Sequence, residues 1–84
     1  MIREDVIKYV KEVFSNNSWS DVELSSRLVK DLGMDSLDIV EIIFDLEENN
    51  QDDYPPLCIP PEDSENWKTV EDVVNTICKC WNVE

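Results

Sequence analysis

Apolar side chains recur at helical spacing in three separate stretches of this 84-residue chain, and this periodicity constrains its fold more than any other feature. In the last stretch, apolar residues stand at positions i, i+3, i+4, i+7, i+8 and i+11 from Val70 to Trp81. Such spacing aligns them on one face of an α-helix. No segment shows the strict alternation of a half-buried strand. The sequence therefore predicts an all-α fold, a small bundle of three main helices plus one short helix.

Two of the main helices are predicted in the first half of the chain. The first runs from Ile2 to Phe14, where a polar run follows. The second runs from Asp35 or Ser36 to about Glu48, and Asp35 is a natural N-cap. A short helical turn is also expected after Ser20, because residues 20–23 have the form of a capping box.

Prolines separate the second helix from the last one. The segment from Asn49 to Pro61 is predicted to be a loop, because it contains two proline pairs. A short third helix is predicted from Pro61 to Asn66, since proline suits an early helical position. Thr69 is then the expected N-cap of the last helix.

The chain is strongly acidic, with 20 Asp and Glu residues against seven Lys and Arg and a formal charge of −13. Nucleic acid and anionic membrane surfaces repel such a chain, which favours basic protein partners. No lysine or arginine occurs between Asp31 and Trp67, and this acidic run overlaps the second helix. The run is either a solvated face or a docking surface, and its overlap with the motif described below favours docking.

Length and hydropathy indicate one soluble domain over residues 1–84. A chain this short buries only roughly 60% of its unfolded surface, so its core is small. No apolar run approaches the roughly 20 residues that span a bilayer, and the first residues lack the apolar segment of a secretory signal. We expect a cytoplasmic monomer.

The three cysteines do not indicate a metal site. Cys78 and Cys80 have the wrong spacing for a common zinc pair, and the chain has no histidine to complete one. In a cytosolic protein these two and Cys58 are expected to be reduced, and either structural or incidental.

The run Asp-Leu-Gly-Met-Asp-Ser-Leu-Asp at residues 31–38 carries the clearest functional signal. Ser36 stands between two carboxylates at a predicted turn-to-helix junction, and Gly33, the only glycine, favours a backbone turn just before it. Without a histidine, no evident base activates this hydroxyl as a nucleophile for the chain's own chemistry. We therefore expect Ser36 to be modified by another enzyme. The alternative is that it only caps the helix.

This motif, followed by an acidic and apolar helix, resembles that of the acyl carrier protein family, and the resemblance extends from the first helix to about Ile77. It implies that Ser36 carries a 4'-phosphopantetheine arm, which a phosphopantetheinyl transferase attaches from coenzyme A with Mg²⁺. The thiol of the arm would hold an acyl chain as a thioester. Asp35, Leu37 and Asp38 would flank the attachment site, the two carboxylates serving recognition or helping to hold the metal during transfer. The chain itself would be a carrier and not an enzyme.

The second helix has two apolar stripes when it is projected at helical periodicity. The stripe expected to face the core consists of Ile39, Ile42, Ile43 and Leu46. A second ridge, formed by Leu37, Val40 and Phe44, is centred away from the first, and acidic residues line the helix beside it. Either the core extends unusually far around this helix, or the ridge is exposed to partners.

The resemblance favours an exposed ridge, because carrier proteins are contacted mainly through this helix. Basic patches on acyl-transfer and synthase enzymes would bind the acidic rim in encounters that are fast, weak and salt-sensitive. The predicted partner-binding residues are Asp38, Val40, Glu41, Phe44, Asp45, Glu47 and Glu48.

The acyl chain is expected to lie between helices, in a core that can part. The residues expected to line this space are Ile39, Ile43, Leu46, Ile59, Trp67, Val70, Val74 and Ile77. In the unloaded state the same side chains fill the core.

Three departures from the family pattern indicate a specialised carrier. The loop between Glu48 and Ile59 is longer and richer in proline than usual, Trp67 replaces a more common aliphatic residue, and Phe44 is bulkier than the frequent methionine. They suggest secondary lipid or polyketide-type synthesis rather than the housekeeping pathway of fatty-acid synthesis.

The leading hypothesis is a free-standing acyl carrier that acts in trans with discrete enzymes, and two alternatives stay open. A peptidyl or aminoacyl carrier more often has glycine and histidine before the serine, where this chain has Asp35. An unmodified acidic helical adaptor that binds a basic partner would share the charge but not the modification.

Like-charge repulsion in so small a domain predicts marginal stability that rises with ionic strength or divalent ions. The thermal midpoint, followed by circular dichroism, should increase as salt is added. A midpoint that does not move with ionic strength would contradict this expectation.

Overall fold

The computed structural model describes residues 1–48 and 54–83, and within these residues the chain forms four helices and no strand. The helices are α1 (Arg3–Asn16), α2 (Ser36–Glu48), α3 (Pro61–Ser64) and α4 (Val70–Cys80). The all-α prediction, with three main helices and one short helix, is confirmed. The predicted loop from Asn49 to Pro61 is described from Tyr54 onward and is non-helical up to Pro60, while its residues 49–53 lie outside the described part.

Some helix boundaries differ from those predicted. Helix α1 begins one residue later than Ile2 and continues two residues beyond Phe14, and α3 ends at Ser64 rather than Asn66. The start of α1 follows from Asp5, whose carboxylate accepts a hydrogen bond from the Ile2 amide at 3.0 Å.

The helical turn expected after Ser20 is absent, so this prediction was wrong. Asp21 has a φ of +60°, which lies in the left-handed region and cannot begin a right-handed helix. The Glu23 amide instead donates to the Ser26 hydroxyl at 3.0 Å. The segment therefore forms a turn stabilised by the Ser26 side chain and not a helix capped by Ser20.

Helix α1 is the central packing element, because it packs against both α2 and α4. Within residues 1–48 and 54–83, the backbones of α2 and α4 lie farther apart, and side chains of both helices, among them Ile42 and Val73, line the same narrow space. The side chains with essentially no exposed surface are Val6, Val10 and Phe14 of α1, Ile42 and Leu46 of α2, and Val70, Val73, Val74 and Ile77 of α4. Burial of these apolar surfaces is the main source of stability in a domain of this size.

The predicted N-cap of α4 organises the neighbouring loop as well as the helix. The Thr69 hydroxyl accepts from the Asp72 amide at 3.3 Å, and the Asp72 carboxylate accepts from the Thr69 amide at 3.0 Å, which completes a capping box. Beside it, the Leu28 amide donates to the Lys68 carbonyl at 2.9 Å, and the Val70 amide donates to the Ser26 carbonyl at 3.0 Å. The start of α4 thus holds the loop that leads to α2.

An aromatic cluster joins α1 to the segment that precedes α3. The Tyr9 ring lies 4.7 Å from that of Tyr54 and 5.7 Å from that of Trp81, and the rings of Tyr54 and Trp81 are stacked at 5.4 Å. The Trp81 indole donates to the Pro56 carbonyl at 3.3 Å, and the Tyr9 hydroxyl donates to the Leu46 carbonyl near the end of α2. Tyr9 therefore connects α1 to α2 and to the aromatic cluster.

The environment of Tyr9 predicts a loss of stability at high pH. Burial, followed by the charges of Tyr54 and Asp45, raises the pKa of Tyr9 from 10.0 to about 12. Because the folded-state pKa lies above that of the unfolded chain, the un-ionised phenol contributes its full stability below about pH 10, and this contribution is lost as the pH rises through about 12.

Chemical denaturation of the wild type and Tyr9→Phe tests this expectation. At neutral pH the variant should be less stable by about 1 kcal/mol, because a buried hydrogen bond is lost. The difference in unfolding free energy should narrow between pH 10 and 12, since only the wild type titrates at this position. Parallel stability curves over that range would show that Tyr9 is not the titrating group.

Candidate functional site

The loop before α2 is anchored on both sides of the motif. The Trp19 indole donates to the Leu32 carbonyl at 3.1 Å, and the Met34 amide donates to the Leu28 carbonyl at 3.0 Å. Gly33 has a φ of +69°, a conformation that residues with a Cβ rarely adopt, so the expected backbone turn is present. These contacts fix the point at which the chain enters α2.

Asp31, at the start of the motif, stabilises the turn that precedes it. Its carboxylate accepts hydrogen bonds from the Arg27 amide at 2.8 Å and from the Arg27 guanidinium at 3.2 Å. The guanidinium hydrogen bond is the main reason that the pKa of Asp31 is lowered. Both side chains are exposed, so the pair sets local geometry more than stability.

Two carboxylates cap α2 reciprocally. The Asp35 carboxylate accepts from the Asp38 amide at 2.9 Å, and the Asp38 carboxylate accepts from the Asp35 amide at 3.1 Å. The pair is a capping box in which the third helical residue is Asp instead of Glu. Asp35 is therefore the N-cap, as predicted, and Ser36 is the first helical residue.

This arrangement leaves the Ser36 hydroxyl available. The residue is exposed, and no side-chain hydrogen bond engages its hydroxyl in the part of the chain that the structure describes. The alternative that Ser36 serves only as a cap is wrong, because Asp35 performs that role. A phosphate group attached to this hydroxyl would lie at the helix N-terminus, where backbone N–H groups and the helix dipole favour an anion. The residues present thus fit a phosphate-linked arm.

The apolar ridge on α2 faces solvent. Leu37 is 73% exposed, Val40 is 45% exposed and Phe44 is 57% exposed, whereas Ile42 and Leu46 are buried. The core therefore does not extend around the helix to these three side chains, and Ile39 and Ile43 occupy its half-buried flank. Together the three exposed side chains form an uncovered apolar strip on one helix.

The acidic residues predicted for partner binding fall into two groups. Glu41 and Glu48 are exposed, and the other three are partly buried and hydrogen-bonded within the chain. Asp38 caps α2, Asp45 accepts from the Asn17 amide group at 2.7 Å, and Glu47 accepts from the Ile59 backbone amide at 2.9 Å. Two of these five carboxylates, those of Asp45 and Glu47, thus also hold α1 and the segment around Ile59 against α2.

A narrow apolar gap lies beneath the start of α2. Its lining residues are Phe14, Leu28, Met34, Ile39, Ile42, Trp67 and Val73, and the space among them is too small for a water molecule. Of the predicted acyl-pocket residues, only Ile39 and Trp67 line this gap. Leu46, Val70, Val74 and Ile77 are fully buried in the core, Ile59 is nearly so, and Ile43 is partly exposed.

Sequence reasoning missed Met34, which lines the gap beside Ile39. Met34 immediately precedes the N-cap, and Ile39 is the fourth helical residue, so the two have the spacing of a hydrophobic staple. That spacing was the signal that would have identified it. Trp67 is held in place by its indole, which donates to the buried Thr76 hydroxyl at 2.8 Å.

Two kinds of feature are absent from residues 1–48 and 54–83. No group of three or more Cys, Asp or Glu side chains in this part of the chain could hold a metal ion. No helix within these residues is sufficiently long and apolar to cross a membrane.

Comparison with known proteins identifies relatives that cover most of the chain. It is 41% identical over 76 residues to the acyl carrier protein of Campylobacter lari, an alignment that covers 90% of this chain and 91% of that protein. It is 40% identical over 74 residues to the acyl carrier protein of Campylobacter jejuni subsp. doylei, covering 88% of each. It is 47% identical over 57 residues to the acyl carrier protein of Clostridium perfringens, covering 68% of each. No protein-family model matches the chain.

Proposed function

This chain belongs to the acyl carrier protein family, and from that premise we propose that it carries acyl intermediates as thioesters on a 4'-phosphopantetheine arm attached to Ser36. Proteins of this family are carriers and not enzymes. The proposal includes a single carrier domain over residues 1–84 that works in the cytoplasm. It delivers its cargo to discrete enzymes of fatty-acid, lipid or polyketide-type synthesis.

One observation supports this proposal above the others. Asp35 and Asp38 satisfy the capping of α2 between them, so Ser36 is exposed at the first helical position and no residue in the described part of the chain occupies its hydroxyl. A transferase can reach such a hydroxyl without unfolding the helix. The adaptor alternative gives no reason for a free hydroxyl at this position.

The residues around Ser36 would act on the transferase and on the attached phosphate. The helix N-terminus stabilises the phosphodiester, and the carboxylates of Asp35 and Asp38 serve recognition or help to hold Mg²⁺ during transfer. When bound, the arm supplies the thiol that carries the acyl group. Leu37, which is exposed next to Ser36, offers an apolar contact to the transferase.

The packing supports a route for the acyl chain between α2 and α4. Within the described residues, the backbones of α2 and α4 lie farther from each other than from α1, so their separation would part side chains and no close backbone contact. Ile39 and Trp67 line the gap that exists already. Ile43, Leu46, Ile59, Val70, Val74 and Ile77 would line the pocket as it widens.

The exposed ridge and the free carboxylates support docking through α2. Leu37, Val40 and Phe44 would be buried against a partner, while Glu41 and Glu48 meet its lysines and arginines. The hydrogen bonds of Asp45 and Glu47 hold this helix in place for the encounter. The partners are therefore enzymes with a basic patch around an apolar recess.

Modification of Ser36 is the first test. We expect intact mass to increase by one phosphopantetheine group when the unmodified chain is incubated with coenzyme A, Mg²⁺ and a broad-specificity phosphopantetheinyl transferase. Ser36→Ala should gain nothing, and Ser25→Ala, which removes another exposed serine, should behave as the wild type. No gain on folded, unmodified wild-type protein would refute the carrier proposal, and the adaptor hypothesis would then lead.

The docking ridge is tested by Phe44→Gln. The variant should keep the wild-type melting temperature, because Phe44 is exposed, and should raise the KM of the same transferase about 10-fold, as expected for the loss of an apolar anchor. Val29→Gln is the matched control, since Val29 is 62% exposed but lies outside α2. Equal effects of the two substitutions would contradict a specific role for the ridge.

A further inference from the structure

The three cysteines have different environments, although two of them are close in sequence. Cys78 and Cys80 both lie on α4. Residues two positions apart in an α-helix are separated by roughly 200° around the axis, so the two side chains point to opposite sides. Cys78 is buried, and the Arg3 guanidinium reaches its sulfur at 3.9 Å. Cys80 is partly exposed at the last residue of the helix.

Cys80 instead meets Cys58, which is 22 residues away in the chain. The Cys80 sulfur lies 3.5 Å from the Cys58 carbonyl oxygen. Given standard backbone bond lengths, that sulfur is within about 6.3 Å of the Cys58 Cα atom. The contact places the two residues side by side, and a disulfide between them would require the Cys58 side chain to turn toward the Cys80 sulfur.

The backbone around Cys58 is held in place. Leu57 and Ile59 are buried on either side of it, and the Ile59 amide donates to the Glu47 carboxylate at 2.9 Å. The Cys58 side chain is exposed, so its sulfur is open to reagents in solution. Rotation of that side chain alone changes the separation of the two sulfur atoms.

We propose that Cys58 and Cys80 form a reactive dithiol site, which low-molecular-weight disulfides convert to an intrachain disulfide. The site is independent of Ser36 and of any arm attached there.

The reaction consists of two thiol–disulfide exchanges. The Cys58 thiolate attacks one sulfur of the small disulfide, forms a mixed disulfide and expels one small thiolate. The Cys80 thiolate then attacks the Cys58 sulfur, closes the Cys58–Cys80 bond and expels the second small thiolate. Two protein thiols are oxidised and one small disulfide is reduced to two thiols, with the two protons passing to the released thiolates.

The surrounding charges make the rate of ring closure depend on pH. Burial raises the pKa of Cys80, and the carboxylates of Asp63 and Glu47 raise it further, while Lys79 opposes them. Lys79 is also paired with Asp63 at 3.5 Å, which weakens its effect on the thiol. The rate of closure should therefore rise with pH through the usual thiol range and beyond it, since the attacking species is the thiolate.

The disulfide would have a mechanical consequence. It would fasten the segment of residues 57–60, already hydrogen-bonded to Glu47 of α2, to the end of α4. It would thereby restrain the separation of α2 and α4, on which acyl entry depends. This consequence rests on the proposed function, whereas formation of the pair does not.

Oxidised glutathione is the probe, and the Ser36→Ala background removes any thiol of the arm. After incubation, the protein is unfolded and its free thiols are alkylated. Relative to the untreated reduced chain, intact mass should show the loss of two hydrogens and the gain of one alkyl group, on Cys78, with no glutathione adduct. Peptide mapping should link Cys58 to Cys80. The melting temperature should rise by roughly 5 °C or more and return to its initial value with reductant.

Three variants in that background, each with one cysteine replaced, separate the roles of the three cysteines. Cys80→Ser should stop at a glutathione adduct on Cys58, and Cys58→Ser should form no intrachain disulfide. Cys78→Ala is the matched control and should form the pair as before. Three results with the Ser36→Ala chain that keeps all three cysteines would overturn the proposal: accumulation of the glutathione adduct alone, a disulfide that includes Cys78, or no reaction. This holds whatever the result of the Ser36 modification test.

Discussion

The structure depends on the burial of α1 against two other helices. Val6, Val10 and Phe14 of α1 have no exposed surface, and both α2 and α4 pack on this helix. The backbones of α2 and α4 both pack closely on α1, and within the described residues side chains of α2 and α4 and that of Trp67 line a narrow gap between them. The proposed carrier function requires the bundle to open at this gap.

The acidic residues of α2 both stabilise the fold and serve the proposed docking. Asp35 and Asp38 satisfy the helix N-terminus, and Asp45 and Glu47 fasten neighbouring segments. Each of these hydrogen bonds to a carboxylate offsets part of the repulsion that a formal charge of −13 imposes. The helix can consequently present many negative charges to a partner without losing its place in the bundle.

The proposed carrier function uses surfaces that contribute little to stability. Leu37, Val40 and Phe44 remain largely exposed, and the Ser36 hydroxyl takes no part in capping α2 within the described structure. The fold would be more stable if these apolar side chains were buried and if the hydroxyl were hydrogen-bonded. A protein that must bind and release several enzymes in turn needs such surfaces, since weak contacts allow rapid exchange.

The sequence alone determined the features that arise from neighbouring residues: three main helices from apolar periodicity, the caps at Asp35 and Thr69, and the turn at Gly33. The periodicity of α2 separated two apolar stripes but left open whether the second was exposed; the family resemblance favoured exposure, and the structure confirms it. Tertiary structure decided the loss of the turn after Ser20, the lining of the gap by Met34, and the approach of Cys80 to Cys58. These features depend on contacts between distant segments, which local spacing does not encode, and the packing of α1 against α2 and α4 brings those segments together.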